Sequence, residues 1–266
     1  MKFINIKTQW IGLLCLLLLF FSSSPSIKAA NPATAIPVHL KAGMYSILYT
    51  YPSAPYIDAQ GRLLIPLRTI EGLFGGVVSY NASTKIAVAE WLGHSFEVAI
   101  GSKNAKIDGK PVVMDTIPVN KKGSIYLPIR LLLDGTDLEW TWNNKTKQLS
   151  IDDERVLKGK PFQQFEGNDF ADVKNEDALT IMSYVLEGKS LTVTAVNHSG
   201  HTIPDGKADI QPLVSYSGSG GFSVDSYSRP SYLPLKGVLN NQETQKSVSI
   251  SPNDIEYIIT VGRELN

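Results

Sequence analysis

The chain is almost without cysteine. Cys15 is the only one in 266 residues, and it lies inside an apolar run over residues 11–21. A lipid-modified cysteine would follow such a run beside small residues, whereas Leu16 to Phe21 follow this one, which argues against lipidation. Past that run there is no thiol, so disulfides, thiolate metal sites and a cysteine nucleophile are excluded. Histidine is scarce as well, four in all, and only His198 and His201 stand close together. An excess of either charge is missing, with 25 basic and 25 acidic groups. No apolar run reaches the ~20 residues that a membrane-spanning helix needs.

The first 29 residues read as a secretory signal peptide. Lys2 and Lys7 form a basic start, residues 11–21 the apolar stretch, and Ala29 or Ala30 the cleavage site. The shortness of the apolar stretch favours cleavage over a retained anchor. Losing Lys2, Lys7 and Lys28 leaves 22 basic against 25 acidic groups, a net charge of −3. That argues against nucleic acid as a partner and against electrostatic capture by an anionic wall or membrane. An exported chain without disulfides relies on its core alone. With 43% hydrophobic residues and more than 200 residues left, it is long enough to build one.

What is present is a phrase written twice. Pro66-Leu67-Arg68 returns as Pro128-Ile129-Arg130, and Gly61, Asn81, Thr84 and Lys85 return as Gly123, Asn143, Thr146 and Lys147, always 62 residues on. Apolar character is kept between these landmarks, as in Leu63/Ile125, Ile65/Leu127 and Tyr80/Trp142. A fixed-offset repeat defines the structural unit. In the first copy, residues 62–65 read as a strand that Pro66 stops, and a helix over 67–74 ends at Gly75-Gly76. Residues 77–80 and 86–91 then pair through a polar turn. The second copy follows the same plan over 124–151, with its returning strand slipped by one residue, as an insertion in the turn would cause. Strands over 38–40 and 46–51 precede the first copy, and a hairpin about Asp108-Gly109-Lys110 lies between the two. None of the repeated residues is a convincing nucleophile, metal ligand or general base, so the duplicated object reads as a scaffold.

Residues 152–177 are rich in charge and poor in apolar pattern apart from Phe162, Phe165 and Phe170, and read as a linker over 153–177. From residue 178 onward the pattern turns to short strands with polar turns, near 179–186, 191–197, 209–216, 232–238, 246–250 and 256–261. That spacing suggests an all-β sandwich.

The phrase Tyr56-Ile57-Asp58, then Gly61-Arg62-Leu63-Leu64-Ile65-Pro66-Leu67-Arg68, then Val78-Ser79-Tyr80-Asn81, resembles the stalk-domain family, also called the copper amine oxidase N-terminal-like domain. The resemblance spans residues 36–152, as two repeats over 36–91 and 104–152. It implies a secreted spacer or binding module of a Gram-positive bacterium, with no copper and no oxidase activity. The second copy departs from the first: Asp137-Leu138 replaces Gly75-Gly76, and Ser124 replaces Arg62. The carboxyl-terminal part resembles Ig-like sandwiches of secreted bacterial proteins, through Asn197-His198-Ser199-Gly200.

Candidate chemistry is thin. His198 and His201 lack the third ligand that zinc requires. Gly188-Lys189-Ser190 lacks both the earlier glycine and the following helix of a phosphate loop. Gly218-Ser219-Gly220-Gly221 is not a nucleophile elbow. Glu166, Asp169, Asp172, Glu176 and Asp177 contain enough carboxylates for a glycosidase pair, or are simply solvated. Arg68 and Arg130 read as structural forks that tie acceptors at the strand-to-helix junction. Trp140 and Trp142 share one strand face and either fill a core or stack on sugars. Tyr216, Phe222, Tyr227 and Tyr232, set among serine and glycine over 216–232, have the composition of an adaptable binding loop.

The sequence therefore predicts an α+β stalk-like domain of two β-rich repeats, each with a short helix, followed by an all-β Ig-like sandwich over 178–266. The expected protein is secreted or cell-wall associated, not an enzyme, and needs no cofactor or metal. Its partner is an extracellular protein or glycan, with no nucleic acid and no membrane span after cleavage. A glycan-binding accessory protein and a hydrolase with an unrecognised carboxylate pair are the alternatives.

Overall fold

The computed structural model describes residues 34–167, 169–217, 222–223 and 235–266. The signal segment lies outside the described residues, as do residues 218–221. The chain opens with β1 (Ile36–Pro37), β2 (Leu40–Ala42), β3 (Tyr45–Thr50) and the short β4 (Tyr56–Ile57). β5 (Leu63–Pro66) then runs directly into helix α1 (Leu67–Gly72), followed by β6 (Val77–Asn81) and β7 (Ile86–Trp91). β8 (His94–Ala99), β9 (Asn104–Ile107) and β10 (Lys110–Val113) extend that pair into a five-stranded antiparallel sheet, ordered β10-β9-β8-β7-β6. β11 (Val119–Lys121) and β12 (Ser124–Pro128) lead into α2 (Ile129–Asp134), and β13 (Trp140–Asn143) and β14 (Gln148–Ile151) follow.

Pro66 and Pro128 each end a strand and cap a helix, with φ of −61° and −65° and extended ψ. The fixed φ of proline suits both states, and its missing N–H is not needed in a first helical turn. β5 and β12 pair antiparallel, with Leu64 opposite Pro128, Ile65 opposite Leu127 and Pro66 opposite Tyr126. Exchanging residues 62 apart maps this register onto itself.

The two hairpins also share one register. Asn81 faces Ile86 and Asn143 faces Gln148, so the expected one-residue slip does not occur. The larger Ile86 and Val88 suggest the wrong inward face. Ala87 and Ala89 point inward instead, where the second copy has Leu149 and Ile151. Both turns are closed alike: the Asn81 side chain accepts from the N–H groups of Ser83 and Thr84, and that of Asn143 from Lys145 and Thr146. Lys85 and Lys147 then both take φ of 56°.

Residues 153–177 are not a linker. They form a 3₁₀ turn (Glu154–Leu157), helix α3 (Lys160–Glu166) and β15 (Val173–Asn175). Val156, Phe162 and Phe165 are buried, and the rings of Phe162 and Phe165 lie 4.7 and 5.6 Å from that of Tyr45. Most charges of this segment face outward while Val156, Phe162 and Phe165 go to the core, and Phe170 stays 82% exposed. Beyond it come β16 (Leu179–Glu187), β17 (Ser190–Asn197), β18 (Ala208–Tyr216), β19 (Phe222–Ser223), β20 (Glu243–Ser249) and β21 (Ile255–Leu265). The strand expected near 232–238 is reduced, within its described residues, to a bridge between Val238 and Ile203.

The expected division at residue 152 is not a division of packing. β3 lies between β2 and β21, β2 pairs in parallel with β14, and β1 pairs with β16. Residues 34–266 are one compact unit. The reason is legible in β3: five of its six residues are buried, so it needs cover on both faces. Tyr45 and Ile47 enter the core shared with α1 and α2, while Leu48 enters a second core facing β16 and β17. β21 divides in the same way, Ile259 and Val261 to the first core and Ile258 to the second. The large sheet is thus the wall between two cores. Among the described residues no helix is long and apolar enough to cross a membrane.

Candidate functional site

The tightest polar cluster near the repeated phrase is built on Arg62, not on the arginines that follow proline. Gly61 turns the chain with φ of +80°, a conformation open to glycine at no steric cost. Asp58 accepts from the N–H groups of Gln60 and Arg62 at 2.9 Å and from Arg62 Nε at 2.7 Å. Arg62 also donates to the Asp115 carbonyl at 2.6 Å and to Gln60 Oε1 at 2.9 Å. Burial raises the Asp58 carboxyl, but the hydrogen bonds from Arg62 and Gln60 outweigh it and hold the group below its ordinary range. Sequence reasoning passed over Arg62 because the second copy has Ser124 in its place.

Arg68 and Arg130 do not tie buried acceptors. Each falls on the outer face of its helix, where Leu67, Thr69 and Ile70, or Ile129 and Leu131, face inward. Arg68 is exposed and lies 5.7 Å from the centre of the Tyr51 ring. Arg130 is 64% exposed and, among the described residues, pairs with Asp134 at 3.3 Å.

Arg130 stands instead at the rim of a cavity of about 260 Å³. The walls are Arg62, Asp115, Pro128, Leu133, Leu149 and the pair Trp140 and Trp142. These two indoles project from the same face of β13, the edge strand of the large sheet. Trp140 is 38% exposed. Trp142 is half-buried, with its indole N–H held by Asn144 Oδ1 at 3.1 Å. Trp91, by contrast, is a core residue, stacked on Phe74 and donating to its carbonyl at 3.1 Å. A second cavity of about 330 Å³ adjoins the first and shares Asp115, Pro128 and Arg130 with it.

The remaining candidates do not converge. Tyr216 is half-buried, and its hydroxyl accepts from the Ser251 N–H at 3.0 Å. Phe222 contributes backbone to β19, opposite Ser215, while Tyr227 and Tyr232 lie outside the described residues. His198 pairs with Thr180 Oγ1 at 2.9 Å, and His201 with the buried Glu264 at 2.9 Å. His39 bonds to the Lys147 carbonyl and His94 to Asp108. Each histidine thus has its own partner, and the described residues offer no clustered set that fits copper. The acids near 166–177 are dispersed as well. Asp169 meets the buried Arg263, Asp172 meets Asn266, and Asp177 meets Lys41. Arg263 also pairs with Asp209 at 2.7 Å, and the two side chains are almost fully buried. Burial pushes the Asp209 carboxyl upward despite that arginine, while its carboxylate partners keep Arg263 charged. This group belongs to the core and lines none of the cavities near Trp140. Gly188 turns the β16–β17 hairpin with φ of 56°, as its strand–turn–strand setting requires.

Residues 46–151 match the copper amine oxidase N-terminal domain family. The match begins in β3 and ends at the last residue of β14, so it contains both proline–arginine phrases and all of the Trp140 groove. A copper amine oxidase N-terminal domain is not itself the catalytic part of such an enzyme. No curated protein matches the chain.

Proposed function

We propose that this chain is an exported, non-catalytic binding module of the cell envelope, and that its ligand site is the groove beside Trp140. Residues 61–81 and 123–143 are read as two copies of one scaffold, joined about the Ile65–Leu127 pair. The self-mapping register, the matching asparagine turns and φ values of 80° and 82° at Gly61 and Gly123 support that reading. The strands from Leu179 onward are read as an Ig-like sandwich that has taken in β1 to β3. Export rests on the basic and apolar residues of the first 29 positions.

The observation that carries the site is the exposure of Trp140 over a cavity walled by apolar groups and rimmed by Arg130 and Asp115. A large indole left in water on an edge strand is costly unless something covers it. Only the second copy is equipped in this way. At the offset of 62, Trp140 and Trp142 correspond to Val78 and Tyr80, and Leu133 to Glu71. The scaffold is duplicated and the groove is not.

Sedimentation of the purified protein with isolated cell walls tests the reading. Trp140→Ala is expected to weaken retention by at least ~2 kcal/mol, the loss typical of a central aromatic anchor. Its thermal midpoint should hardly move, since the residue is on an exposed edge. Equal retention of the two proteins would leave only a spacer.

A further inference from the structure

The groove does not end at Trp140. The cavity beside the indoles and the cavity beside Val113 meet at Asp115, Pro128 and Arg130, with the first turn of α2 as the ridge between them. Each is at or below the lower end of the ~300–1,000 Å³ typical of a full small-molecule pocket. Either alone suits one ring, and the two in line suit a chain. Val113, which lines the second cavity, is 77% exposed, so an apolar surface is open there too.

Charge narrows the class. The groups around the ridge are Arg62, Arg130, Asp58, Asp115 and Asp134, and two of the three acids are already set against the two arginines. A polyanion would meet a net negative charge here, three acids against two arginines. A hydroxyl, which both donates and accepts, can answer Asp115 and Arg130 together. A peptide amide is met by the same two groups, so the indole faces decide between the two classes. An indole face, in turn, matches the C–H face of a pyranose ring.

We infer that the ligand is an uncharged saccharide chain of at least two rings, laid across α2 with one end on Trp140 and the other beside Val113. This inference rests on the proposed groove site and adds the class and length of what fills it.

The test is calorimetric titration of the purified protein with cello- and chito-oligosaccharides of one to six rings. Polygalacturonate and a proline-rich peptide serve as competing probes. Affinity is expected to rise about tenfold between two and four rings and then level off. Trp140→Ala should lose binding at every length, and Val113→Glu should bring the four-ring ligand down to the affinity of the two-ring one. Val77→Glu, on the exposed edge of the five-stranded sheet, controls for a general surface effect and should leave the ladder as it is. If one ring binds as tightly as six while Trp140→Ala still abolishes binding, the site stands and the chain inference falls. Preferred binding of the polyanion or the peptide overturns the class. So does wall retention that depends on Trp140 without binding of any uncharged oligosaccharide. If Trp140→Ala changes no binding to walls, sugars or peptide, the inference and the site beneath it fail together.

Discussion

At the scale of single residues, two arginines six positions apart have opposite fates. Arg62 donates side-chain hydrogen bonds to three partners, Asp58, the Asp115 carbonyl and Gln60, and it spans from the β4–β5 turn to the chain at Asp115. Arg68 has an aromatic ring beside it and is otherwise exposed. Arg62→Ala is therefore expected to destabilise the protein by about 1–3 kcal/mol, because Asp58 and the Asp115 carbonyl lose their partner. Arg68→Ala should stay within ~0.5 kcal/mol, as surface changes usually do. Urea unfolding of the two variants checks this, and the reverse order would restore the structural role that the repeated phrase suggests for Arg68. Recurrence at a fixed offset marks which positions share a residue type, and the packing of each position decides what it does.

At the scale of elements, the proline-to-helix junctions were legible because proline and the spacing of Leu67 and Ile70 leave few alternatives. The long hairpins of the second half were legible because alternation is regular there. β8 was missed, since His94-Ser95-Phe96-Glu97 reads as a polar stretch and only Phe96 and Val98 turn inward. α3 was missed because four of its seven residues are polar. The groove was half legible: the shared face of Trp140 and Trp142 follows from alternation, but their meeting with Arg130 and Asp115 is tertiary. α3 provides a test of its own. A Cβ on Gly159, just before the helix, would fall on the Leu73 carbonyl oxygen, a backbone atom that cannot swing aside. Gly159→Ala is expected to cost about 1–3 kcal/mol, the range of overpacking. A thermal midpoint unchanged by the substitution would mean that α3 is held less closely to the end of α1 than described.

At the scale of the whole molecule, the matched segment 46–151 is not an independent body. Its first strand has a partner, β21, at the far end of the chain, and α3 covers Tyr45. A chain ending at Asp152 would open one edge of β3 and uncover Ile47, and an open apolar edge invites association. Such a chain is expected to aggregate or to show poorly dispersed amide resonances, while the full chain gives a dispersed spectrum. A well-dispersed monomer from residues 30–152 would show that the sheet shared by both cores is a convenience of packing and no requirement.

The pairing of β3 with β21 also sets a clock. Ile47 finds Ile259 opposite it, a partner made 212 residues later. At ~5–20 residues per second, synthesis takes about 10–40 seconds to supply it. Until then the wall between the two cores lacks a central strand, and neither core can close. By setting β21 against β3, the fold defers the closure of both cores until residues 255–265 have been made.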